Sequence, residues 1–317
     1  MPTENQIPIV FGPVPSRRLG RSLGINNIPS KWCSYACVYC QVGNTIHLRS
    51  ERRRFYDTDF IYRSVREKLK YLKVHSEPVD YLAFVPDGAP TLDSNLGSHI
   101  QSLKSFNIPV AIISNASLIF RTDVQNDLMQ ADLVSLKVDT INEATWKKIN
   151  RPHGSLKLDD ILNGVLDFRQ KYKGQLITET MLVKGINDSA IEAGQIAEFL
   201  SKVQPDRAYI SIPTRPPAQS GIEPAETDAL NLVWQIFSQR LKKVELLTGY
   251  EGNTFASGSD FRTNILSVTA VHPMREDAVY ELAARSGDRR EIINQMVANN
   301  ELVKVKYKNH VFYLRSH

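Results

Sequence analysis

Short runs rich in Val, Ile, Leu and Tyr recur along this chain, and most are followed by a longer stretch whose apolar residues return every three or four positions. The clearest runs are DYLAFVP (80–86), PVAIISN (109–115), LVSLKVD (133–139), LITETMLV (176–183) and RAYISIP (207–213), with SLGINNI (22–28) a weaker one. Helix-period stretches cover 57–74, 94–106, 121–131, 157–173, 188–203 and 224–243. Parallel strands cannot be joined by tight hairpins, so strands alternating with helices predict βα units around a parallel sheet. Six units are too few for a closed barrel of eight. The run Gly20-Arg21-Ser22-Leu23-Gly24 lacks the GxGxxG spacing of a dinucleotide fold. An α/β partial (β/α)6 TIM-like barrel fits the count.

The chain has 3 cysteines, and all fall in Trp32-Cys33-Ser34-Tyr35-Ala36-Cys37-Val38-Tyr39-Cys40. Cysteines used as small core hydrophobes scatter along a sequence; these are gathered for shared work. Three thiolates can hold three irons of a [4Fe–4S] cube and leave the fourth iron open to an outside ligand. Zinc is the rival, but a closed zinc site takes four ligands and His47 stands at no customary finger spacing. A disulfide would leave one thiol over and need an oxidising compartment.

The C-x3-C-x2-C spacing, with Tyr39 before the last cysteine, resembles the signature of the radical S-adenosylmethionine (SAM) superfamily. The stretches Val14-Pro15-Ser16-Arg17-Arg18-Leu19-Gly20-Arg21-Ser22-Leu23-Gly24 and Phe84-Val85-Pro86-Asp87-Gly88-Ala89-Pro90-Thr91-Leu92 resemble its branch of Fe–S oxidoreductases that includes wyosine-type tRNA-modifying enzymes. The resemblance covers roughly residues 10–220 and is patchy. It implies a partial barrel, a [4Fe–4S] cluster on Cys33, Cys37 and Cys40, and SAM on the open iron. It also implies a one-electron donor such as flavodoxin or ferredoxin. Wyosine-base synthesis itself is not expected, because archaeal enzymes of that kind carry extra cysteines for a second cluster.

Chemistry in such barrels gathers where strands end, which selects cofactor-binding candidates. Gly88, Ala89 and Pro90 stand where the superfamily often holds the SAM ammonium in a Gly-Gly-Glu-Pro-like segment. This branch commonly reads Gly-Glu-Pro-Thr-Leu, so Ala89 replaces a carboxylate, and Asp87 or backbone carbonyls would have to serve. Read without the resemblance, the segment is a turn. Ser114, Asn115, Ser135, Lys137 and Asp139 offer partners for ribose and carboxylate, and Ile186-Asn187 for adenine. Each would serve equally as a turn or cap. Arg151 and Arg215 are candidates to grip an anionic substrate group, and the run Arg49–Arg54 is either a second clamp or a solvated charge run.

The three regions expected are a radical SAM barrel over 1–247, a connector and strand over 248–271, and a winged-helix-like domain over 272–317. Gly249, Gly252 and Gly258, with Ser257 and Ser259, read as loop, and ILSVTAV (265–271) as a strand. Two helical sets follow, around Val279 and Leu282 and around Ile292, Ile293, Met296 and Val297, with Asp288 a candidate N-cap. LVKVKY-KN-HVFYLR then reads as a hairpin, with Lys304, Lys306, Lys308 and Arg315 on a polar face and Val305, Tyr307, Val311 and Tyr313 on an apolar one. A plain α+β cap is the competing description of this tail.

A content of 42% hydrophobic and 23% charged residues is that of an ordinary globular protein. No apolar run reaches the roughly 20 residues of a membrane span, and MPTENQIPIV has no signal-peptide pattern. With unpaired thiols, this predicts a cytoplasmic protein with no membrane partner. A net charge of +5 permits a polyanionic partner without requiring one. The leading reading is a radical SAM enzyme, an Fe–S oxidoreductase acting on tRNA or other RNA. The alternatives are a protein- or peptide-modifying radical SAM enzyme and a metal-dependent winged-helix nucleic-acid-binding regulator.

Overall fold

The computed structural model describes residues 8–249, 251–253, 255, 260–287 and 289–316. The expectations for Ser257, Gly258, Ser259 and Asp288 lie outside the described residues.

The elements run β1 (Val10–Ser16), β2 (Gly20–Ile25), β3 (Trp32–Cys33), β4 (His47–Leu48), α1 (Thr58–Val74), β5 (Tyr81–Phe84), α2 (Leu96–Leu103) and β6 (Val110–Ser114). Then come α3 (Thr122–Leu128), β7 (Leu133–Lys137), α4 (Glu143–Ile149), α5 (Leu158–Lys171), β8 (Gln175–Met181), α6 (Ala190–Val203), β9 (Arg207–Ser211), α7 (Thr227–Ser238) and β10 (Val244–Leu247). The tail is α8 (Phe261–Thr269), β11 (Met274–Arg275), α9 (Glu276–Arg285), α10 (Arg290–Ala298), β12 (Leu302–Tyr307) and β13 (His310–Arg315).

Eight strands form one curled sheet in the order β1-β2-β5-β6-β7-β8-β9-β10. All neighbours are parallel except β1 against β2. The six βα units stand as read, and the sheet is the half-barrel expected. The two edge strands escape a sequence reading for local reasons. Strand β1 contains Pro13 and Pro15, tolerated only at an edge, and β10 is four residues long.

Period-2 alternation divides each strand between two cores. Leu82, Phe84, Val110, Ile112, Val134, Leu136, Leu176 and Ile210 pack outward on the helices. Ala83, Ala111, Leu133, Ile177 and Tyr209 face the lumen and cluster with Leu19 and Leu247. Chain polarity therefore delivers the loops after β2, β5, β6, β7, β8 and β9 to one rim.

The tail differs from expectation in two places. Residues 265–271 do not form a strand: α8 covers Phe261–Thr269, capped by Asp260, whose carboxylate accepts from the Arg262 and Thr263 amides at 3.3 and 3.1 Å. Phe261, Ile265 and Val268 recur at helical spacing and are buried with Phe11 and Val14 of β1, so packing overrides β-branched propensity. The hairpin faces also differ. Tyr307 pairs with His310 across Lys308-Asn309, which sets Val305 opposite Phe312, Lys304 opposite Tyr313 and Lys306 opposite Val311. Even positions of β12 thus share a face with odd positions of β13. Leu302, Tyr313 and Val311 pack on the helices, while Val305 and Tyr307 lie on the other face with Phe312. The order α8-β11-α9-α10-β12-β13, with sheet order β11-β13-β12, completes the unit.

Candidate active site

A cavity of about 290 Å³ opens at the strand C-terminal rim. Cys33, Cys37 and Cys40 line it together with Asp87, Gly88, Ser114, Asn115, Lys137, Glu179, Ser211 and Arg215. The cysteine loop is pinned by backbone on both sides: Ala36 and Val38 amides donate to Asn150 and Ile149 carbonyls at 3.0 Å each, and the Arg49 amide donates to the Cys33 carbonyl at 2.8 Å. Within the loop, the Cys40 amide donates to the Cys37 carbonyl at 3.1 Å. Lys31 reaches the Val42 carbonyl and lies 3.2 Å from the Asp87 carboxylate, tying the loop to the end of β5.

The donor set fits an iron–sulfur cluster. All three cysteines are free thiols. They face the cavity but sit deep in the protein, and burial pushes Cys33 up to about 12, with Cys37 and Cys40 also raised. Such thiols become thiolates only when a cation replaces the proton. Amide donors are already aimed at the sulfurs: Asn115 Nδ2 lies 3.5 Å from Cys33 Sγ, and Asn150 Nδ2 lies 3.4 Å from Cys37 Sγ. N–H···S bonds of this kind stabilise cluster thiolates and tune potential. Among the described residues no three His, Cys, Asp or Glu groups are placed to hold a single metal ion.

The other candidates divide by position. Gly88 lines the cavity with φ +152, and a Cβ there would lie 1.8 Å from the Trp32 carbonyl oxygen. Ala89 and Pro90 turn behind it into the outer core; the Ala89 amide donates to the Trp32 carbonyl at 3.1 Å and the Pro90 carbonyl accepts from Asn27. Ser114 and Asn115 line the cavity, and Asn115 Nδ2 also donates to Ser34 Oγ at 3.0 Å. Ser135 is buried on the same strand face as Lys137, one pleat below it.

Asp139 and Asn187 carry loop structure. Asp139 accepts from Tyr39, from Asn150 at 2.8 Å and from the Met181 amide at 2.9 Å. Asn187 accepts from the Val183 amide at 2.9 Å and donates to the carbonyls of Asp139 and Met181 at 2.8 and 2.9 Å. Arg151 is exposed away from the cavity. Arg215 reaches the cavity but is engaged: it donates to Gln41 Oε1 at 3.0 Å, to His272 Nε2 at 2.9 Å, and to Glu251. Burial and the adjoining Arg215 push the His272 imidazole down to about 3, so the ring is neutral and accepts.

The central acid, Glu179, escaped the sequence reading. Burial alone would raise its carboxyl, but Arg18 and Lys137, with a hydrogen bond from Ser211 at 2.9 Å, hold it down at about 2. Lys137 Nζ is 3.1 Å from Glu179 and 4.9 Å from the Tyr39 ring centre. The available signal was parity: Glu179 shares the lumen face of β8 with Ile177 and is the charged residue on it.

The model of the radical SAM superfamily matches residues 27–194. The chain belongs to the radical SAM superfamily. A UPF0026 protein of Methanocaldococcus jannaschii is 47% identical over 310 residues, covering 97% of this chain and 96% of its own. Among solved structures, TYW1 with a lysine–pyruvate adduct bound superposes with TM-score 0.55 at 16% identity, over 70% of this chain and 74% of that one. Streptococcus suis SuiB bound to S-adenosylmethionine gives 0.52 at 15%, over 72% of this chain and 51% of SuiB. These likenesses carry the half-barrel fold. The protein is therefore a radical SAM enzyme, whose superfamily uses a [4Fe–4S] cluster and SAM and needs a reductant. Cys33, Cys37 and Cys40 would hold the cluster, which when bound supplies the electron for SAM cleavage. The chain's own residues set the cavity's charge, exclude water and fix the loop. Among the described residues no helix is long and apolar enough to cross a membrane.

Proposed function

We propose that this radical SAM enzyme modifies tRNA or another RNA, with flavodoxin or ferredoxin as electron donor. The observation that supports the macromolecular substrate is the seating of the C-terminal hairpin at the cavity rim. Tyr307 Oη donates to the carbonyl of Pro213, itself a cavity residue, at 3.1 Å. Lys304, Lys306 and Lys308 are exposed on the same hairpin, Lys304 and Lys306 on the face opposite Tyr307. A hairpin that is seated at the rim by Tyr307 and carries exposed lysines suits a phosphate backbone, whose binding weakens steeply with salt. Chemistry inside a cavity recessed at the strand rim would require the target nucleotide to be extruded from any duplex.

The test uses the reconstituted enzyme with SAM and a reductant, offered either RNA or soluble protein from a strain lacking the gene. RNA should stimulate 5′-deoxyadenosine release and yield one nucleoside of new mass, and Cys37→Ala should abolish both. Stimulation by the protein fraction alone would replace RNA with a polypeptide substrate.

A further inference from the structure

Five cationic side chains line the cavity: Arg17, Arg18, Lys31, Lys137 and Arg215. Three carboxylates face them, Asp87, Glu179 and Glu251. Four of the cations are engaged. Arg18 and Lys137 hold Glu179, Arg215 holds Glu251, and Lys31 holds Asp87. Arg17 lines the cavity from its solvent-exposed edge and makes no hydrogen bond or ion pair with any described residue. The turn that carries it is nevertheless built: Ser16 Oγ accepts from the Arg18 and Leu19 amides at 3.3 Å each, and Leu19 is anchored in the lumen core with Leu247. Partial burial disfavours the Arg17 charge; Glu251 and Glu179, already committed to Arg215 and to Arg18 and Lys137, attract the guanidinium, while Arg215 and Arg18 repel it. A thiolate-bound cluster and a sulfonium cofactor carry opposite net charge, so they leave the cationic surplus in place.

We propose that Arg17 receives a phosphate of the substrate. On the RNA reading above, which this inference deepens, that group is a phosphodiester beside the extruded nucleotide. A guanidinium presents parallel N–H donors that match two phosphate oxygens, and neighbouring Arg18 and Arg215 add field without needing to leave their partners. Arg215, one of the two arginines singled out by sequence, is a positioning residue that holds Glu251 and Gln41.

The test is calorimetric titration of the reconstituted, SAM-loaded full chain with uridine 5′-monophosphate, inorganic phosphate, uridine and acetate. Uridine 5′-monophosphate and inorganic phosphate should bind, with uridine at least about tenfold weaker than its monophosphate. Arg17→Gln should weaken monophosphate binding about tenfold or more, Arg17→Lys should recover part of it, and the distant surface variant Arg169→Gln should change nothing. Unaltered monophosphate affinity in Arg17→Gln would overturn the inference, as would acetate competing as well as phosphate. Arg17-dependent phosphate binding without any RNA product would uphold the inference and refute the RNA reading. RNA turnover with phosphate affinity indifferent to Arg17 would do the reverse.

Discussion

Gly88→Ala tests how the end of β5 fixes the cluster loop. A Cβ at 88 would sit 1.8 Å from the Trp32 carbonyl oxygen and 2.8 Å from its carbon, both backbone atoms that cannot rotate away. Restoring a contact of 3.0 Å requires the segment before Cys33 to retreat by about 1.2 Å. Two backbone hydrogen bonds hold that segment: Lys31 N to the Asp87 carbonyl at 2.9 Å and Ala89 N to the Trp32 carbonyl at 3.1 Å. Losing both costs roughly 1–3 kcal/mol, and the φ of +152 adds about 1–3 kcal/mol of strain. Gly185→Ala is the control for a Cβ at positive φ without a clash, because it has φ +67 and nothing within 4 Å of its Cβ. Gly88→Ala should melt several degrees below Gly185→Ala and bind clearly less than four irons per chain on anaerobic reconstitution. Equal melting temperatures and full iron loading in both variants would refute this account of the loop.

Glu179 supplies a pH test. Its carboxyl falls from an ordinary 4.5 to about 2 in the fold, so its stabilisation is complete above pH 4.5 and is lost as pH drops towards 2. Urea unfolding of the apoprotein should show Glu179→Gln less stable by roughly 3 kcal/mol at pH 7 and much closer to wild type near pH 3. Ala89→Glu should not tighten SAM binding, because Ala89 is 1% exposed and packs in the outer core; a carboxylate there should instead lower the melting temperature. Truncation before His272 should destabilise the rest, since it strips the cover from Phe261, Ile265 and Val268, which share a core with Phe11 and Val14. Truncation before Asp260 removes those α8 residues too and should be better tolerated by thermal melt.

The sequence by itself determined the six βα units, because buried parallel strands must be continuous apolar runs and their covering helices must repeat every three to four residues. It also determined the cluster loop, since three thiols within eight residues leave little else for them to do. Chain polarity then singled out the strand-end loops before any contact was known. Only the tertiary structure decided which strand-end groups face the cavity and which are spent on the loops. Asn187 has the same amide chemistry as Asn115, yet its hydrogen bonds go to backbone of the β7 and β8 loops, and Asp139 is spent on Tyr39, Asn150 and the Met181 amide. Glu179 and Arg18 lie 161 positions apart, and no local pattern links them. Helix α8 was hidden because its β-branched residues favour a strand until β1 offers them a helical packing face. The hairpin faces were hidden because a two-residue turn inverts parity between strands, and one residue of register moves every side chain to the opposite face. Local periodicity is a property of the chain, whereas the pairing of charges and the choice of face are set by segments that meet only on folding.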